Sequence, residues 1–169
     1  MSAIARYLKQ TGNNILGYDR TPTVLTEELA AEGMDIKYED DPSHIASRHI
    51  DMVIYTPAIG DDNRILQYAR ENALVVKKRS EVLGLITSQK KTIAVAGTHG
   101  KTTTSSIVRH ILEESVGCNY FIGAGDGYAS LDNDYFVVES DEFNRHFTAY
   151  HPTYSIITNI EAEHMEIYK

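Results

Sequence analysis

Residues 91–112, KTIAVAGTHGKTTTSSIVRHIL, constrain the chain most tightly: an apolar run, a turn with glycines at 97 and 100, and a Gly-Lys-Thr opening an amphipathic stretch. A strand entering a helix through such a turn suits a phosphate chain. Glycines let the backbone come close, amide N–H groups at the helix N-terminus favour negative charge, and a lysine adds a mobile cation. Lys101 is then placed to reach the β- and γ-phosphates and Thr102 to offer its hydroxyl to Mg²⁺. The longer phosphate loop carries a glycine five residues before its Gly-Lys; here that residue is Val95. A solvated turn with Lys101 pointing outward would carry the same three residues. The preceding strand, the following stripe of Ile107, Val108, Ile111 and Leu112, and the run Thr102-Thr103-Thr104 favour the loop.

A magnesium nucleotide needs a further hard oxygen ligand near the loop. Glu139 ends the apolar run YFVVE, with Asp141 and Glu142 just beyond. The run YSIITNI is followed by EAEH, so a parallel sheet would gather Asn159, Glu161 and His164 at the same edge. As isolated residues, Glu139 would pass for a solvated strand end and His164 for a surface or capping residue. The other histidines lack zinc-site spacing, and Cys118 reads as a small buried residue.

The pattern extends upstream. Met1, Ile4, Ala5 and Leu8 share a helical face that Gly12 ends, NNILGYD reads as a strand ending in Asp19, and residues 23–33 as a helix stopped by Gly33. DIKYED is a candidate edge strand, residues 51–59 a strand halted at Pro57, residues 63–73 a helix, and LVV another strand. Alternating strands and helices predict an α/β fold: a Rossmann-like parallel-sheet domain over residues 1–89, without its first strand, then part of a P-loop α/β domain over 90–169.

Sixteen basic residues against 24 acidic ones give a formal charge of −8, with no basic run, which argues against a nucleic-acid groove. No apolar run approaches the roughly 20 residues of a membrane-spanning helix. One cysteine and no leader-like opening predict a cytoplasmic setting.

Together these segments resemble the Mur ligase family, and within it the members that add L-alanine to UDP-N-acetylmuramate. The family's phosphate loop is a short G-T-x-G-K-T/S, here Gly97-Thr98-His99-Gly100-Lys101-Thr102; VVESDEFNRHF is similar to its acidic segment, with Ser140 in place of the usual alanine; ITNIEAEH resembles its T-N-I-x-x-D-H, with Glu163 in place of aspartate. The resemblance implies that ATP is bound by the backbone of Gly97 to Thr103. Mg²⁺ falls to Thr102 and Glu139, with His164 helping to hold a second ion; Lys101, Glu139 and His164 are the catalytic set. Asp19, at a strand end where such sheets meet a ribose or base, and Thr56, Ala58 and Ile59 in YTPAI, fall on the uridine side. The implied reaction is amide formation through an acyl phosphate, from UDP-N-acetylmuramate and L-alanine. In the family a glycine-rich stretch precedes the Met-Ser seen at Met1 and Ser2, and further sequence follows the EIYK end, so these residues are expected to be an incomplete and inactive portion of such an enzyme. A recycling ligase joining a peptide to the same sugar, and a nucleotide-binding module without ligation, are the alternatives.

Overall fold

A computed structural model of the chain describes residues 1–123, 126–140 and 149–162. They fall into two compact units, Met1–Val82 and Leu83–Lys169.

The first unit contains α1 (Ser2–Gln10), β1 (Leu16–Tyr18), α2 (Val24–Ala31), β2 (Asp35–Lys37), a single turn α3 (Ser43–Ala46), β3 (Val53–Tyr55), α4 (Arg64–Glu71) and β4 (Val76–Lys78). Helix α1 buries Ala3, Ile4 and Tyr7, and the chain turns out of it through Gly12 at φ +88°. This face is rotated from the expected one, because Tyr7 turns its ring inward while Met1 is 46% exposed. Helix α2 begins in a capping box in which Thr23 and Thr26 satisfy each other's amides. Helix α4 is capped twice: Asn63 Oδ1 accepts from Leu66 N at 2.9 Å, and the Asp40 carboxylate accepts from Arg64 N at 2.8 Å and Ile65 N at 3.0 Å. The DIKYED strand pairs in parallel with β1, and β3 pairs in parallel with β4. These are two separate two-stranded ladders, with strands shorter than their apolar runs because Pro57 and the flanking turns end the pairing.

Helix α5 (Arg79–Thr87) crosses the division between the units. Its second half belongs to the second unit, where Leu83 and Ile86 are buried and Gly84 packs so tightly on the Ala149 carbonyl that no Cβ would fit.

The second unit continues with β5 (Lys91–Ala96), α6 (Lys101–Glu113), β6 (Asn119–Ile122), β7 (Asp126–Tyr128), β8 (Tyr135–Glu139) and β9 (Tyr154–Ile157). These strands form one sheet in the order β7-β6-β8-β5-β9, parallel except where β7 folds back on β6. Phe136, Val137 and Val138 are fully buried, and the Phe136 ring stacks on Phe121 with centroids 5.3 Å apart. Strand β6, buried at all four positions, was not legible in the sequence, since a polar Asn119 followed by only three apolar residues after a helix carries no period of its own.

The expected apolar stripe of α6 is half right. Val108 and Leu112 pack against Cys118, Tyr120, Ile122 and Val137, but Ile107 and Ile111 are 56% and 60% exposed. The line that faces the sheet runs through Ser105, Val108 and Leu112, and one residue's step around a helix is about 100°, enough to carry Ile107 and Ile111 off that line. The Arg109 guanidinium, 3.7 Å from the Tyr120 ring centroid, covers the neighbouring ground.

Register sets the stage for the site. Val95 is level with Glu139 on β8 and Ile156 on β9, and Ala96 with Ile157. Three parallel strands therefore end within about a residue of one another, at Ala96, Glu139 and Ile157, with Gly97 and Thr158 just beyond.

Candidate nucleotide-binding site

The turn after β5 bends through Gly97 at φ +134° and enters α6 through Gly100 at φ +79°, the left-handed N-cap of the helix. Both angles disfavour L-residues with a side chain, though the surroundings differ. A Cβ on Gly97 would strike Thr158 Oγ1 and come within 2.9 Å of Asn159 O, whereas one on Gly100 would meet nothing within 4 Å.

The loop is laced to the end of β9. Thr98 N donates to Asn159 O at 3.2 Å, and His99 N to Asn159 Oδ1 at 2.8 Å. Thr158 Oγ1 donates to His99 O at 2.6 Å, and Glu161 N to Thr98 Oγ1 at 2.9 Å. On the other side, Lys101 Nζ donates to Gly97 O at 2.6 Å and Thr98 O at 3.2 Å, which keeps the ammonium over its own loop. His99 Nε2 lies 3.7 Å from Glu161 Oε2, but both side chains are over 60% exposed and water screens the pair.

Thr102, in the first turn of α6, turns its hydroxyl to the Glu139 carboxylate, 3.1 Å from Oε1 and 3.0 Å from Oε2. Glu139 Oε2 also accepts from Gly123 N at 2.8 Å, so the end of β6 fixes the carboxylate's direction. A hydroxyl and a carboxylate this close are two hard oxygen donors at a helix N-terminus, the chemistry that a phosphate-bound Mg²⁺ takes. The structure thus brings together Gly97, Thr98, His99, Gly100, Lys101, Thr102, Thr103 and Glu139. His164, like Glu163, lies outside the described residues.

The remaining sequence candidates sit in the first unit. Asp19 follows β1, is exposed, and accepts from Thr21 N at 3.3 Å. Thr56 and Ile59 are half-buried at the end of β3, where Ile59 N donates to Thr56 O at 3.0 Å, and Ala58 is exposed. They occupy the C-terminal ends of strands in two different ladders.

Sequence reasoning placed Asn159 at this edge without a task, and passed over Thr158 and Gly123. Thr-Asn directly after an apolar strand, level with a glycine turn, was the available signal for the first two.

The model of the "Mur ligase family, catalytic domain" matches residues 1–91, and that of the "Mur ligase middle domain" matches residues 95–169. The chain belongs to the Mur ligase family. Among curated relatives, the UDP-N-acetylmuramate–L-alanine ligase of Phocaeicola vulgatus is 44% identical over 179 residues, and that of Flavobacterium johnsoniae 42% over 177; each match covers 99% of this chain and 39% of the relative. The chain thus spans about two fifths of these Mur ligases. Among solved structures, the UDP-N-acetylmuramate-alanine ligase MurC of Thermotoga maritima superimposes with a TM-score of 0.79 at 30% identity, covering 99% of this chain and 40% of that one. The UDP-N-acetylmuramate:L-alanyl-gamma-D-glutamyl-meso-diaminopimelate ligase of Neisseria meningitides reaches 0.85 at 21% identity, over 100% of this chain and 60% of that one, and shows a shared fold. Placed on this Mur ligase sheet, the absent glycine at Val95 has a plain structural counterpart: the residue is a buried β5 strand position, 0% exposed, and the turn begins two residues later. No helix among the described residues is long and apolar enough to cross a membrane.

Proposed function

We propose that this chain is the sugar-nucleotide-binding and ATP-binding portion of a cytoplasmic UDP-N-acetylmuramate–L-alanine ligase, with residues 1–89 handling the UDP-sugar and 90–169 the ATP. The observation that carries the reading is the Thr102–Glu139 pair at the mouth of a Gly-Lys-Thr loop, in a chain 44% identical to a ligase of that name.

Phosphoryl transfer needs positioning and charge neutralisation more than covalent help. Amides of the first turn of α6 and the Lys101 ammonium hold the phosphates of ATP. Thr102 and Glu139 would hold Mg²⁺, which would supply neutralisation of phosphate charge, while the muramate carboxylate attacks the γ-phosphorus of ATP and ADP leaves. Gly123 N keeps Glu139 aimed at that position. Asp19, Thr56, Ala58 and Ile59 face the uridine nucleotide, and His164 assists at a second Mg²⁺. L-alanine then displaces phosphate from the acyl phosphate.

The test uses the intact protein with ATP, Mg²⁺, UDP-N-acetylmuramate and radiolabelled L-alanine. Formation of UDP-N-acetylmuramoyl-L-alanine is expected. No product with alanine, but product with L-alanyl-gamma-D-glutamyl-meso-diaminopimelate, would replace this reading with peptide recycling; nucleotide binding without either product would leave a non-catalytic module.

A further inference from the structure

Three consecutive peptide units of the loop are held in fixed senses, two alike and the third reversed. A trans peptide is planar, so its C=O and N–H point in opposite directions. In the units 97–98 and 98–99 the N–H groups turn to Asn159, which sends the carbonyls of Gly97 and Thr98 to the other side, where both accept from Lys101 Nζ. In the unit 99–100 the sense reverses: His99 O turns to Thr158 Oγ1 at 2.6 Å, so Gly100 N points away from β9. The Lys101 side of the loop therefore meets two carbonyls and then a donor. Only the last of these three peptides offers an anion a hydrogen bond, and the Thr158 hydroxyl sets its direction.

That direction needs holding. Gly100 has no side chain to resist rotation and open space around it, so the 99–100 peptide is the most easily flipped of the three. Flipped, it would set a third carbonyl against phosphate oxygens.

We infer that Thr158 is a positioning residue for the phosphate loop: by holding His99 O it keeps the Gly100 N–H facing the phosphates of a nucleoside triphosphate. Gly97 has a matching part, since its missing side chain is what lets Thr158 Oγ1 come this close. The inference rests on the nucleotide-binding half of the proposed function and not on the identity of the amine.

The test compares Thr158→Val, which keeps the shape and loses the donor, with Thr158→Ser, which keeps the donor, in the intact protein. Affinity is measured for a non-hydrolysable ATP analogue with Mg²⁺ and for inorganic triphosphate, beside the KM for UDP-N-acetylmuramate and the thermal midpoint. Thr158→Val is expected to weaken both phosphate ligands about tenfold, the equivalent of one net hydrogen bond, with the KM for the sugar nucleotide within about twofold of wild type. Thr158→Ser restores the affinity to within about twofold. Should Thr158→Val fail to fold, Thr158→Cys takes its place, with an intermediate loss expected from its weak donor. Wild-type affinity in the Val variant, or a Ser variant as weak as the Val variant, overturns the inference. A wild-type protein that binds the analogue but forms no ligation product overturns the ligase reading alone; one that binds neither phosphate ligand overturns both.

Discussion

The Thr102 hydroxyl lies 3.0 and 3.1 Å from the two carboxylate oxygens of Glu139, across 37 residues of sequence. The pair exists because β8 lies beside β5 in a register that sets Glu139 level with Val95, just before the loop begins. Glu139→Gln keeps the shape and an acceptor but removes the charge that a Mg²⁺ ion requires. Turnover is expected to fall by about 10² to 10³, the usual consequence of losing one charge-stabilising group. Steady-state assays across a Mg²⁺ titration check this; unchanged turnover and Mg²⁺ dependence would remove Glu139 from the site.

The two loop glycines are predicted to be unequal. Gly100→Ala places a side chain in open space and meets only the left-handed backbone penalty, about 1–2 kcal/mol. Gly97→Ala combines φ +134° with collisions against Thr158 and Asn159. Its loss should exceed that of Gly100→Ala and reach about 3 kcal/mol or more. Urea unfolding of both variants decides; equal losses would show that the close approach to β9 carries no energy.

Acid sensitivity should originate partly at Asp35. Hydrogen bonds from Lys37 and then Arg48 hold this carboxylate below its ordinary value of 3.8. A group depressed in the folded state contributes stability that is fully present above its unfolded pKa and is lost as the pH falls through its folded one. Asp35→Asn should therefore lower stability near neutral pH, by a small amount because the pair is exposed, and flatten the decline below pH ~4. Denaturation midpoints between pH ~2 and ~7 provide the check; a parallel shift at every pH would rule Asp35 out.

Cys118 should resist alkylation while the protein is folded. It is 2% exposed, and burial, with a smaller contribution from Glu113, pushes its thiol up to about 11. At pH 8 iodoacetamide is expected to label it only after denaturant is added, as mass spectrometry would show. Rapid labelling of the native protein would contradict this placement beneath α6.

The phosphate loop was legible because its chemistry is local: a strand, a glycine turn and a first helical turn lie within 22 residues, and each element is specified by its own composition. The α/β alternation was legible for a similar reason, since Thr23, Asn63 and Gly12 mark helix ends by capping and turn geometry that depends on neighbours in sequence. The family was legible because three such local motifs occur in order.

Sheet order and facing were not local. Nothing in KTIAVA states that β8 and β9 flank it, and nothing in α6 states that Ile111 lies outside while Leu112 packs inward. Those outcomes depend on which strands close together and how the helix settles on them. Glu139 could be picked from its own strand end as an acid, but its use depends on Gly123 and Thr102, which reach it only through that strand order. Thr158 carried only the weak local signal of a Thr-Asn after an apolar run, because its hydroxyl acquires a task only when parallel pairing brings the end of β9 level with the start of the loop. The sequence by itself determined that a phosphate loop would form; long-range pairing, whose partners no short segment encodes, decided which way that loop's peptides point.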